Sequence, residues 1–486
     1  MTEKKNGVTN NFLWKFAERI SAQLVTFLVS LVLARILLPE DYGTVSLVLV
    51  FIEFANVFVS QGLGSALVQK QNADDLDFSS VLFFNIGFSI VLYFVLFFVS
   101  PVIASFYDME ELIVVIRVFS LRLILASINT VQQAYVARKM IFKRFFWSTL
   151  LGTLLSGVFG IYLALKGYGV WALVAQYLIN TFVSTVVLGI TLKWVPKLMY
   201  SWKRVGMLFK FGWKILFEGV AETLSGQIRN LIIGKVYSDA DLGYYTKAQQ
   251  FPQLVMTNIN ASISAVLFPA MSSIQTDRSR LVELMRESVR ISSYILFPML
   301  FGISAVATNL VTVLLTEKWL SSVPYIYVAC FSYFITIGMY ARHEALKSIG
   351  RSDVFMVEHM FARVVNFVLL LLVYRISVMA IALSGILGGL ILWFTIMYTS
   401  KKYTGYQYKD QINDIALLIL MSVIMFIPTF LFGYYLNLNP IVELFLQVII
   451  GVTIYLILSI FFKPAGFSAV VRFIKEKIIT RGKAIS

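Results

Sequence analysis

Twenty consecutive residues, SVLFFNIGFSIVLYFVLFFV from Ser80 to Val99, carry no charge. A second run, VELFLQVIIGVTIYLILSIFF from Val442 to Phe462, carries one. A helix of about 20 apolar residues matches the hydrocarbon thickness of a bilayer. The whole chain follows suit: 59% of its residues are hydrophobic and 14% charged, with mean hydropathy +0.80. A soluble domain carries about 25% charge. The chain is therefore expected to be an all-α polytopic membrane protein. The first apolar segment lacks the cleavage signal of a secretory leader, and its counterpart recurs mid-chain.

Apolar runs and breakers predict fourteen spans, near 14–37, 43–64, 80–105, 112–137, 147–165, 170–194, 211–236, 243–271, 291–315, 323–349, 354–374, 378–399, 412–434 and 441–462. The seventh and eighth are the least apolar. Of the 41 Lys and Arg residues, six (Arg35, Lys166, Lys235, Lys247, Lys318, Arg375) fall in odd-numbered connections, and five (Arg117, Arg122, Arg229, Arg342, Arg363) fall inside spans. The rest gather at the termini and the even-numbered connections. The positive-inside rule makes that side, and both termini, cytoplasmic. The net charge of +15 is then topogenic, and nucleic acid is not an expected partner. Two basic, apolar segments, SWKRVGMLFKFGWK from Ser201 and VVRFIKEKIITRGK from Val470, read as interfacial helices on anionic lipid.

One phrase is written twice. LARILLPEDYG (Leu33–Gly43) returns as IIGKVYSDADLG (Ile232–Gly243), and FLWK (Phe12–Lys15) as FGWK (Phe211–Lys214). Six helices separate the copies. The expected architecture is two six-helix lobes in a parallel pseudo-two-fold repeat about the membrane normal, plus two further helices. The expected divisions are 1–198, 199–402, 403–462 and a basic cytoplasmic tail, 463–486. The repeated phrase reads as a tight external hairpin. Pro39 ends a helix, and Glu40 and Asp41 favour the positive end of the next.

Charged groups inside spans tend to face a cavity. Helical spacing puts Arg19, Gln23, Thr26 and Ser30 on one face, and Glu53, Asn56 and Ser60 on another. It groups Glu218, Glu222, Ser225 and Arg229, and then Gln250, Gln253, Thr257, Asn260 and Ser264. Arg122 aligns with Asn129 and Gln133, and Arg363 with His359 and Asn366. These stripes predict a hydrophilic cavity in which arginines bind phosphate oxygens in a bidentate fork. Each has a plainer reading. Arg19 either lines the cavity or snorkels to the interface. Glu218 and Glu222 either neutralise Arg229 or carry a coupling ion. Arg342 and Lys347 serve topology, Arg117 anchors at the external interface, and His359 is a packed histidine. One cysteine, two histidines and no P-loop argue against a disulfide, a metal site or ATP hydrolysis. No catalytic constellation stands out, and short external connections disfavour an enzyme.

LARILLPEDYG, FANVFVSQGLGSALVQ (Phe54–Gln69) and IIGKVYSDADLGYYTKAQQ (Ile232–Gln250) closely resemble the Wzx-like polysaccharide and O-antigen flippases. These belong to the multidrug/oligosaccharidyl-lipid/polysaccharide exporter superfamily, with the lipid II flippase MurJ and the MATE drug exporters. The resemblance implies translocation of polyprenyl-diphosphate-linked oligosaccharide from the cytoplasmic to the outer leaflet by alternating access. It implies no cofactor, and coupling to H+, Na+ or the membrane potential. Its partners would be membrane lipids and the polysaccharide polymerase and export proteins, in a bacterial or archaeal cell membrane. A MATE-like cation/drug antiporter and a non-transporting component of a glycan assembly complex are the alternatives.

Overall fold

The computed structural model of the chain describes residues 21–192, 194–436 and 438–468, without the side chains of 261–266. Every regular element among the described residues is a helix. That is the arrangement lipid demands, because a helix satisfies its own backbone hydrogen bonds. Ten of these helical stretches are long and apolar enough to cross a membrane. The other expected spans fall on helices that are short among the described residues or carry polar stripes.

The first compact unit ends at Gly243. Its helices are α1 (Ser21–Ile36), α2 (Pro39–Ser60), α3 (Leu63–Gln69), α4 (Asp75–Tyr107), α5 (Glu111–Phe119) and α6 (Leu121–Lys139). After them come α7 (Phe142–Leu165), α8 (Val170–Thr191), α9 (Trp202–Val236) and the start of α10 (Asp239–Ser273). Small residues set the closest approach. A Cβ on Gly152 of α7 would lie 2.3 Å from Ser184 Oγ of α8, and one on Gly157 would lie 2.5 Å from Val29 of α1. Membrane helices pack through such positions because lipid supplies no hydrophobic drive between them. The face of α4 that bears Phe98 and Val102 is exposed, at 70% and 67%, as suits contact with lipid.

The segment read as a separate interfacial helix from Ser201 is instead the first turns of α9, a single 35-residue helix. Nothing in its sequence breaks it. Val205 and Leu208 pack into a buried cluster with Leu63, Leu67, Phe78, Leu82 and Trp194, so that face meets protein. Trp202 on another face is 72% exposed. The compact unit closes after Gly243, whereas the expected division at 198 follows the sequence repeat. The basic tail from Val470 and the FLWK stretch lie outside the described residues.

The second unit, from Tyr244, continues α10 and adds α11 (Arg278–Ala305), α12 (Ala307–Leu314) and a short 3-10 turn at Glu317–Ser322. Next are α13 (Val323–Thr336), α14 (Met339–Ser348), α15 (Ser352–Val373), α16 (Val378–Thr404), α17 (Tyr408–Tyr435) and α18 (Pro440–Phe462). α13 and α14 divide what the sequence presents as one span, 323–349. Arg342, expected to serve topology near the end of that span, is 1% exposed within this unit. Hydropathy reports a window average and is blind to how a break turns one short helix inward.

Candidate functional site

The two copies of the repeated phrase build the same cap. Asp41 accepts the Leu38 N–H at 2.9 Å, and Pro39 opens α2. Asp241 accepts the Ser238 N–H at 3.3 Å and its hydroxyl at 2.7 Å. In each, a carboxylate satisfies an N–H group that the first helical turn leaves open. Burial, and then Glu40 and Glu111, push the Asp239 carboxyl above the usual carboxylate range.

Deeper in the first unit, two of the expected site residues meet. Arg122 Nη1 lies 3.0 Å from Glu53 Oε1, joining α6 to α2. Arg122 Nε donates to Thr181 Oγ1 of α8 at 3.3 Å. The guanidinium carbon stands 5.4 Å from the Tyr177 ring centroid, also on α8. The Arg122 and Glu53 side chains are 22% and 37% exposed. The pair is thus partly exposed and not sealed in the core of the unit. The same polar face of α6 continues to Asn129, whose Oδ1 accepts from Gln133. Chemically, the cluster offers a planar cation, an exchangeable carboxylate counter-ion, a hydroxyl and an aromatic face. Those groups suit a phosphate-bearing, sugar-bearing headgroup.

The other expected residues are more scattered. Gln23 is half-buried on α1, and Arg229 is half-buried on α9. Glu218 and Glu222 are exposed on α9, and Gln253 is exposed on α10. Asn260 is 6% exposed. Arg363 is half-buried on α15, with Nη1 3.6 Å from the Met360 sulfur. Arg19 lies outside the described residues. No group of three His, Cys, Asp or Glu able to hold a metal occurs among the described residues.

Sequence reasoning missed Tyr177 and Thr181, which stand on an apolar helix with no charge to draw attention. It also missed the partners of the cations around the start of α4. Asp77, 0% exposed, binds Lys70 at 2.6 Å and Arg204 at 3.5 Å. Lys197 binds Asp75 at 2.6 Å. Arg138 donates to the carbonyls of Leu67, Val68, Lys70 and Gln71. Asp74 caps α4 by accepting the Asp77 N–H at 2.9 Å. That hydrogen bond, assisted by Arg204 and Lys70, holds its carboxyl below the usual range. These cations tie α3, α4, α6 and α9 together. An acidic run, ADDLD (Ala73–Asp77), beside them was the available signal.

Known proteins are similar to the chain in sequence, and solved structures are similar to it in fold. Over 347 residues it is 26% identical to the succinoglycan biosynthesis transport protein ExoT of Rhizobium meliloti (strain 1021), covering 71% of this chain and 70% of that one. Over 305 residues it is 24% identical to the lipopolysaccharide biosynthesis protein WzxC of Escherichia coli (strain K12), covering 62% and 61%. The fold matches the lipid II flippase MurJ in an inward closed conformation, with a TM-score of 0.74 at 16% identity over 93% of this chain and 99% of that one. It also matches an inward-facing MATE family multidrug resistance transporter, with a TM-score of 0.64 at 14% identity over 79% and 94%. At these identities the structural likeness establishes the fold alone. The polysaccharide biosynthesis protein model matches residues 32–324, more than half of the sequence, and the chain belongs to that family.

Proposed function

We propose that the protein is a flippase that carries polyprenyl-diphosphate-linked oligosaccharide from the cytoplasmic to the outer leaflet, for export of a cell-surface polysaccharide. Its reaction is transport rather than bond-making catalysis. Arg122, held by Glu53 at 3.0 Å and still partly exposed, carries this reading. A diphosphate displaces the carboxylate and takes the guanidinium fork, while Tyr177 and Thr181 keep the fork oriented. The polyprenyl tail stays in lipid, so only the headgroup needs polar shelter.

Family membership and the names of the relatives, a succinoglycan transport protein and a lipopolysaccharide biosynthesis protein, support the substrate class. We further propose fourteen spans with both termini cytoplasmic, and a repeat of six helices supported by the matched caps at Asp41 and Asp241. The polysaccharide polymerase and export proteins are the proposed partners, and a proton, sodium or the membrane potential the proposed driving force.

The test is a leaflet assay in cells deleted for the gene. Loss should accumulate one diphosphate-linked oligosaccharide on the cytoplasmic face, and the wild-type chain should clear it. Arg122→Ala should fail to clear it while inserting normally. Unchanged lipid-linked oligosaccharide in the deletion cells would overturn the reading, as would full clearance of another substrate class such as a cationic dye.

A further inference from the structure

α14 sits after a break. α13 ends at Thr336, Ile337 is extended, and Gly338 takes φ +81° before α14 restarts at Met339. That φ favours glycine, and a Cβ at Gly338 would lie 3.3 Å from Val289 of α11. α14 has ten residues, among them Arg342, His343, Glu344 and Lys347. Arg342, His343 and Glu344 are buried. Ala341 and Ala345 pack with Leu281, Met285 and Val289 of α11, which leaves the charged residues of α14 for its other neighbours.

Most charged groups around α14 are committed. Glu344 accepts from Lys347 at 3.2 Å. Asp353 of α15 pairs with Arg351 at 2.8 Å. Asp414 of α17 takes Arg286 and Arg290 of α11 at 2.9 and 2.5 Å, and the Tyr406 hydroxyl at 2.6 Å. Asp410 pairs with Arg286 at 3.3 Å. The Arg342 guanidinium is the exception among the cations: it lies 5.8 Å from the Tyr406 ring, and its buried Nε and Nη1 have no hydrogen bond. On α16, Lys401 and Lys402 lie 4.5 and 5.3 Å from the rings of Tyr408 and Tyr403.

Glu358 differs. Its side chain is 2% exposed, and Oε1 accepts from Thr399 of α16. Oε2 faces His343 Nε2 at 3.4 Å, and neither atom has a hydrogen bond. The His343 side chain is 10% exposed. The His359 ring centroid is 5.1 Å from that of His343, with Phe355 packed against both rings at 4.9 and 4.2 Å. These are the only two histidines in the chain.

We propose that His343 and Glu358 form a binding site for one proton inside the second unit, and that its occupancy regulates transport. The transport half rests on the flippase reading above. With no proton, a buried carboxylate holds a single donor and faces a neutral imidazole, a costly arrangement. One proton, taken from water, fills the gap between Nε2 and Oε2. The facing atoms then become donor and acceptor of a charge-assisted hydrogen bond. The proton would lie between the two facing atoms and so belong to both residues. The break at Gly338 lets α14 respond independently of α13. Gain or loss of the bond therefore changes how firmly α14 is held on α15 and α16.

The test uses the full chain, purified and returned to vesicles. Thermal unfolding of the wild type between about pH 5 and pH 8, the range in which histidine changes charge, should show a pH-dependent step. In His343→Gln and Glu358→Gln the step should vanish or move by about one pH unit. Glu344→Gln, which breaks the Lys347 pair only, should keep it. An imposed pH gradient should alter flipping by the wild type and leave both site variants indifferent. No step in the wild type, or an unaltered step in both site variants, overturns the proposal. If Glu358→Gln does not fold, infrared difference spectra decide: the wild type should show a carboxyl band that appears with acid and shifts in His343→Gln, and an invariant band overturns it. The unfolding titration needs no substrate. A chain that flips no oligosaccharide yet shows the pair-dependent step loses the flippase reading and keeps the proton site.

Discussion

A Cβ on Gly43 would lie 1.9 Å from the carbonyl oxygen of Asp239, and a Cβ on Gly243 would lie 2.1 Å from the carbonyl oxygen of Pro39. The two contacts are one contact seen twice. Gly243 is to Gly43 as Asp239 is to Pro39, one repeat length along. Such reciprocity marks a self-complementary interface, and here it joins two caps of one chain. The close seat explains why glycine follows each capping aspartate by two residues.

Alanine at either glycine should therefore cost about 1–3 kcal/mol, the range for overpacking a fitted site. The obstacle is backbone, which cannot rotate away. Unfolding of detergent-purified Gly43→Ala and Gly243→Ala should show it. Gly226→Ala on α9 is the control, because nothing lies within 4 Å of its added Cβ. Equal stability of all three variants would remove the seat from the account.

A second expectation separates charge from shape at Arg122. Arg122→Lys keeps a cation but loses the planar fork that meets Glu53 and Thr181 together. Flipping should fall in the lysine variant and fall further in Arg122→Ala, with normal membrane insertion in both. Glu53→Gln leaves the guanidinium without its counter-ion, so substrate should bind it with less competition. The prediction is a lower half-saturating substrate concentration for Glu53→Gln. A lysine variant indistinguishable from wild type would show that only the charge matters.

These residues also show what was legible beforehand. Long uncharged runs such as Ser80–Val99 made the membrane helices plain, because a span advertises itself in composition. Glu53 and Arg122 were visible as charges on apolar helices, but their pairing across α2 and α6 was not. Pairing depends on how helices rotate against one another, and helical period within one segment carries no such information. Tyr177 and Thr181 gave no signal at all. Arg342 was legible as a basic residue near a span end, but its burial on a helix that restarts after Gly338 was not. The long α9 misled, since alternating basic and apolar residues fit an interfacial helix and a continuous packed one equally well.

Acid should loosen the ion-pair cluster at the start of α4. The Asp74 carboxyl sits below its usual range because the Asp77 N–H, Arg204 and Lys70 favour its charged form. Its contribution to stability is thus complete above the unfolded value of about 3.9 and is lost as pH falls through the folded value below it. Asp74→Asn should lower stability at neutral pH and flatten the acid limb of the unfolding midpoint against pH. An acid limb as steep as that of wild type would assign the pH dependence elsewhere, and Asp77→Asn would be the next variant to titrate.

Topology gives the last prediction. Lys166 is exposed in the connection between α7 and α8, and Lys401 is exposed in the last turn of α16. The Lys and Arg alternation puts the first outside and the second inside. The native thiol does not obscure the test, since Cys330 is the only cysteine and is 2% exposed. In a Cys330→Ser background, a cysteine at 166 should react with an impermeant maleimide in intact cells, and one at 401 only after the membrane is opened. The span count enters directly, because seven predicted crossings separate 166 from 401, and a missing or added one would put both on the same side. α9 and α10 are the crossings at issue, being the polar ones, and both lie between the two labels. If they enter and leave the membrane as a pair, 166 and 401 label from opposite sides. If one of them stays at the surface, both positions label from the same side, and the fourteen-span proposal fails at that helix.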